Sequence, residues 1–197
     1  SLYFIFRKSI YLSFRLFCDK IIMYSFDKKV STTKKSKWLN KCLGIIIHHT
    51  AWWTFDSNVK YLSSSTAQAS VHFVIWENWE AAKIWDPKDI LWHAGNGSWW
   101  DIDNVNTAFL WIEVVWFGKY NLKQFLKLTD LVQYLMWVYN IKNDMILRHS
   151  DVTQDRSITR HKILWDWKRN SKKKDIGLEF FVNNDGFKLW RDELSFN

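Results

Sequence analysis

Six histidines are the residues best suited to move protons or hold a metal: His48, His49, His72, His93, His149 and His161. Imidazole titrates near neutrality and is the commonest metal ligand, so each can act as acid, base or ligand. Neighbours in a strand point to opposite faces, so His48 and His49 cannot both enter one site from a regular strand. A lone histidine is usually structural; placement is what raises His48 and His149 above that. Each follows a short apolar run, Gly44 to Ile47 and Met145 to Leu147. A sheet can bring such strand ends together although they lie far apart in the chain. Other chemistries leave no trace: there is no Gly-rich phosphate loop and no H-E-x-x-H. Cys18 and Cys42 are the only cysteines and form no C-x-x-C, so neither a disulfide framework nor a cysteine zinc knuckle is implied.

Several elements must position these histidines. The β-branched run at Gly44–His49 predicts a buried strand. Asp56 to Gln68 is expected to be a helix with Asp56 as its N-cap. Val71–Ile75 predicts a strand, with Ala81–Trp85 pairing to it across a hairpin, and Phe109–Val115 predicts another. Leu122, Phe125, Leu128, Val132, Leu135 and Tyr139 recur at helical spacing, so Asn121–Tyr139 should be a helix capped by Asn121. Met145–Leu147 is a short strand leading to His149, and Lys168–Lys174 reads as a basic loop. Strands alternating with helices indicate an α/β fold, a central mixed sheet flanked by helices.

The 197 residues suit one domain with an extension. Residues 1–41 read as a basic, aromatic extension (1–27) and a polar linker (28–41). The compact domain is expected at residues 42–181, followed by a tail at 182–197. Arg7, Lys8, Arg15, Asp19 and Lys20 interrupt the apolar N-terminal stretch. It therefore lacks the roughly 18 uncharged residues of a spanning helix and the unbroken core of a secretory signal. The chain opens on Ser, which leaves room for a preceding piece, so secretion is neither shown nor excluded. A formal charge of +8 favours an anionic partner: nucleic acid, an anionic membrane surface or a cell-wall polymer.

The chain holds 15 Trp against 6 Gly and 1 Pro. Average glycine usage of about 7% would give roughly twice as many. Several Trp stand where turn chemistry asks for glycine, as in Trp76-Glu77-Asn78-Trp79-Glu80 between two predicted strands. The expectation is that many are glycines, encoded by UGA in a code that reads it as Gly. The candidates are Trp52, Trp53, Trp76, Trp79, Trp85, Trp100, Trp111, Trp116, Trp137 and one of Trp165 and Trp167. The alternative is a Trp-rich, carbohydrate-binding protein.

Five segments in order carry a family resemblance: IIIHHTA (45–51), SVHFVI (70–75), WHAGNGSW (92–99), VNTAFLWIEVV (105–115) and RHSD (148–151). Together they resemble the signatures of zinc N-acetylmuramoyl-L-alanine amidases, a group that includes phage lysozyme-type amidases and is similar to peptidoglycan-recognition proteins. The family's S-I-G-I-E and H-F-V-I-D-x-D-G are met here with Trp111 and Trp79 at their glycines, in line with recoding. Residues 111 and 113 share a strand face, so an indole at 111 would also crowd the Glu113 carboxylate.

The resemblance implies that His48 and His149 are zinc ligands. The third ligand falls on Asp175, within Lys172-Lys173-Lys174-Asp175-Ile176-Gly177, where an insertion precedes it and Ile176 replaces the usual Pro; His161 is the rival. Two histidines and a carboxylate would leave a fourth zinc position open, as in catalytic sites. Glu113 corresponds to the general base, and Lys173 to a cation stabilising the tetrahedral oxyanion. His93 would contact substrate, and Asn106 would do likewise or hold a loop; Asp151 would brace a loop.

The implied reaction is cleavage of the bond between N-acetylmuramic acid and L-alanine by a monomer acting on peptidoglycan or muropeptides at the cell envelope or outside the cell. Residues 1–27 offer a possible membrane contact and nothing more. A catalytically dead muropeptide binder is the alternative: the irregular third ligand speaks for it, Glu113 against it. A nucleic-acid binder with stacking rings lacks any RNP-type signature.

Overall fold

The computed structural model describes residues 24–30, 38–50, 54–64, 66–67, 69–92, 94–95, 97–115, 122–152, 188, 190–192 and 194. Among them the strands are β1 (Lys28–Lys29), β2 (Gly44–Thr50), β3 (Phe73–Ile75), β4 (Ala81–Lys83), β5 (Phe109–Val115) and β6 (Ile146–Arg148). They form one six-stranded sheet in the order β1-β4-β3-β5-β2-β6. Only β3 and β4 pair antiparallel, so the sheet is mixed. The fold is α/β, a mixed sheet with helices packed on it.

All seven residues of β5 are buried, consistent with its β-branched, aromatic composition in a central parallel strand. One face of the sheet packs on helix α2 (Leu122–Tyr139) through Phe125, Leu128, Leu131, Val132, Leu135 and Met136. Leu122, placed on the apolar stripe by spacing, is exposed, and Leu131 and Met136 join the core instead. Asn121, the expected cap, lies outside the described residues. The other face packs on helix α1 (Phe55–Leu62) through Phe55, Val59 and Leu62.

Helix α1 is shorter than expected and starts differently. Thr54, not Asp56, is its N-cap, accepting from the Ser57 amide at 3.3 Å. It stops at Leu62 because serine hydroxyls compete for the next turn. Ser63 Oγ donates back to the Lys60 carbonyl at 3.2 Å, and Ser64 Oγ accepts from the Thr66 amide at 3.2 Å.

Residues 24–30 join the sheet edge although their sequence reads as extension and linker. The Asp27 amide donates to the Ala81 carbonyl and the Val30 amide to the Lys83 carbonyl, both at 2.9 Å. Phe26 stacks on Phe73 with ring centroids 5.5 Å apart. On α2, Trp190 from the chain's last residues donates to Thr129 Oγ1 at 3.1 Å. No helix among the described residues is long and apolar enough to cross a membrane.

Candidate active site

The sheet's register builds the site. In β5-β2-β6 order, Ile46 lies beside Trp111 and Leu147, forming one row of a single face. Two residues further along the same face, His48 lies beside Glu113. Ile47 pairs with Arg148, so the chain leaving β6 delivers His149 to the other side of His48. Period-2 alternation thus stacks a polar row, Glu113-His48-His149, on an apolar one, at the C-terminal ends of three parallel strands. That is the end where open α/β sheets place their ligands.

The contacts follow. His48 Nδ1 lies 2.9 Å from Glu113 Oε2 and 3.2 Å from Oε1. The His48 and His149 rings meet edge to face with centroids 4.4 Å apart. Glu113 is buried, with 7% of its side chain exposed, whereas the His48 side chain keeps 27%. The carboxylate is held inside and the imidazole reaches the surface.

Supports surround this row. His149 opens a single helical turn, α3 (His149–Val152). Asp151 steadies it: its Oδ2 accepts from the Arg148 amide at 2.8 Å, and its Oδ1 from Arg148 Nη2 at 2.7 Å. Ser98 reaches the same turn, its amide donating to the Val152 carbonyl at 3.2 Å.

Asn106 makes the bonds expected of a residue that holds a loop. It is fully buried. Its Oδ1 accepts from the Ala94 amide at 3.1 Å and its Nδ2 donates to the Gly95 carbonyl at 2.9 Å. These bonds brace Ala94 and Gly95 of the W-H-A-G motif.

His72 carries a role that sequence reasoning left unassigned. It is fully buried; its Nδ1 accepts from the Trp111 amide and its Nε2 donates to the Asp89 carbonyl, both at 3.0 Å. The amide can only donate, so the ring is the neutral Nε2–H tautomer. Burial pushes its pKa down to about 4. The available signal was a histidine set between apolar neighbours in a predicted strand.

His93, Lys173, Asp175 and His161 lie outside the described residues. Among the described residues no group of three or more His, Cys, Asp or Glu is arranged to hold a metal ion. The structure brings together His48, His149 and Glu113.

The family model for N-acetylmuramoyl-L-alanine amidase (Amidase_2) matches residues 39–162, more than half of the chain. The chain belongs to this amidase family. AmpDH3 from Pseudomonas aeruginosa, solved in complex with anhydromuramic pentapeptide, is 23% identical at a TM-score of 0.52, with 69% of this chain and 60% of that one covered. A mutant endolysin from Bacillus subtilis is 17% identical at a TM-score of 0.59, covering 88% of this chain and 100% of that one. AmiD from E. coli, in complex with the substrate anhydro-N-acetylmuramic acid-L-Ala-D-gamma-Glu-L-Lys, is 20% identical at a TM-score of 0.50, covering 61% and 53%. At these identities the likeness establishes the amidase fold alone. The chain spans about 60% of the AmpDH3 chain. No curated protein matches.

Proposed function

We propose that this amidase-family chain is a zinc hydrolase that cleaves the amide between N-acetylmuramic acid and L-alanine in peptidoglycan or its muropeptides. The observation that carries this reading is the row Glu113-His48-His149, a buried carboxylate and two touching imidazoles at the ends of neighbouring parallel strands. Two adjacent imidazoles, one steadied through Nδ1 by a carboxylate, fit the donor chemistry and supporting contacts of zinc. His48 and His149 would hold the ion, with Asp175 as the proposed third ligand and His161 as its rival. Zinc held there would supply Lewis acidity to the scissile carbonyl and the attacking water.

The chain's own residues supply proton transfer and charge. Glu113 takes a proton from water as its oxygen adds to the lactyl carbonyl carbon. As the carbon–nitrogen bond breaks, the same proton passes to the alanine nitrogen, which leaves as an amine. Lys173 would balance the charge on the former carbonyl oxygen. His93 is proposed to contact the substrate from the loop that Asn106 holds. A wall substrate implies action at the cell envelope or outside the cell.

The test is the appearance of new L-alanine amino termini when the protein meets purified peptidoglycan. Release that stops on zinc removal and returns on its addition is expected. No release from folded, zinc-loaded protein would point to a relative that only binds muropeptide.

A further inference from the structure

Among the described residues, four other than glycine adopt left-handed φ: Cys42, Trp79, Trp100 and Asn140. Asparagine tolerates that region; a bulky aromatic is an outlier there. Both tryptophans sit in tight hairpin loops of a kind that demands glycine.

At the first, the Trp76 amide donates to the Glu80 carbonyl at 2.9 Å, enclosing the three-residue loop Glu77-Asn78-Trp79. Its last residue, Trp79, has φ +69°. A three-residue hairpin loop ends in a left-handed residue, and glycine fills that place because it has no Cβ to clash. At the second, Trp99 and Ile102 exchange both backbone hydrogen bonds, 3.0 and 2.8 Å, around Trp100-Asp101. Trp100, with φ +51°, is the first central residue of this two-residue loop, where the turns that fit a hairpin need positive φ.

Burial explains neither indole, and the one ring contact given for Trp100 is a stack on its chain neighbour Trp99 at 6.2 Å. Trp100 is 73% exposed and Trp79 39%. The chain's own Gly95 adopts the same left-handed φ, +60°. By contrast Trp85, also a candidate for recoding, is buried and donates from Nε1 to the Leu62 carbonyl at 2.9 Å in an ordinary conformation, so nothing in its geometry asks for glycine.

We infer that positions 79 and 100 are glycine in the protein its own cell makes, their codons being UGA read as glycine.

Two measurements decide the matter, and neither involves amide hydrolysis. The first reads the codons at 79 and 100 and the masses of the matching peptides from protein made in its own cell. UGA codons with glycine masses are expected; a UGG codon or a tryptophan mass at either position overturns the inference. The second compares the melting temperature of the chain as written with Trp79→Gly and Trp100→Gly. Each should melt about 3 °C higher, the relief of one left-handed non-glycine residue in a chain this size. A lower melting temperature for either variant overturns the inference as well.

Discussion

Strands β5, β2 and β6 are flanked by buried polar groups at both ends, but those groups are partnered differently. At the N-terminal end Asn40 is 2% exposed, and its bonds run to backbone. Its Nδ2 donates to the Phe109 carbonyl at 2.9 Å and its Oδ1 accepts from the Cys42 amide at 2.8 Å. At the C-terminal end Glu113 and His48 bond to each other, and the imidazole reaches solvent. A polar side chain locked to main chain fixes geometry and costs stability when removed. Two side chains facing each other at a surface can exchange that contact for a metal, a water or a substrate. One end of the same three strands therefore holds the fold, and the other is the end proposed for the chemistry.

The sharpest way to break this comparison is Glu113→Gln. Glutamine keeps the shape and a hydrogen bond to His48 but cannot accept the proton. Turnover on muropeptide should fall by about 10²–10⁴-fold, the usual worth of a positioned acid–base group. The melting temperature should hardly move. Turnover close to the parent's would place the chemistry elsewhere, and a collapse in stability would make this end structural too.

The converse change is Gly44→Ala at the start of β2. A Cβ there would lie 2.2 Å from Cε1 of Phe109 and 2.6 Å from the Met145 carbonyl oxygen. Backbone cannot yield cheaply, so stability should drop by about 3 kcal/mol in denaturant unfolding, at the top of the usual overpacking range. Turnover per folded molecule should stay the same. A neutral result would show that this end is looser than its contacts indicate.

Residue type and spacing revealed one part of this architecture and concealed another. The β-branched runs marked β2 and β5, and motif order singled out His48, His149 and Glu113. Register could not be read, because nothing in the sequence states that Ile47 faces Arg148, which is what sets His48 between its partners. The strand β1 was hidden for another reason. Lys28 and Lys29 pair through backbone alone and have no apolar alternation to announce them. Helix α1 was overextended because the hydroxyls that end it act through local geometry rather than hydrophobic period. Asn106 illustrates the same limit: an amide can reach for substrate or brace a loop, and its bonds to Ala94 and Gly95 were not legible in the sequence.

The finest division concerns His72, which lies between the two ends and bonds to the Trp111 amide two residues before Glu113. Its pKa falls to about 4 chiefly through burial; the Asp89 carbonyl and Asp86 pull it upward, and Lys83 pushes it further down. The neutral ring is the folded form, because a proton on Nδ1 would displace the Trp111 amide. An unfolded histidine titrates near 6.5, so between that value and about 4 the unfolded chain binds more protons. The stability His72 confers is thus complete above about pH 6.5 and is lost as pH falls toward 4. From pH 7 to pH 5 the loss should be about 2 kcal/mol. Denaturant unfolding of the parent and of His72→Asn at both pH values isolates it, since the variant lacks this titration while the carboxylates remain. The parent should lose about 2 kcal/mol more than the variant. Equal losses would mean that the ring is not held neutral. If the pH profile of turnover on the folded enzyme moved instead, His72 would act with the catalytic end rather than the structural one.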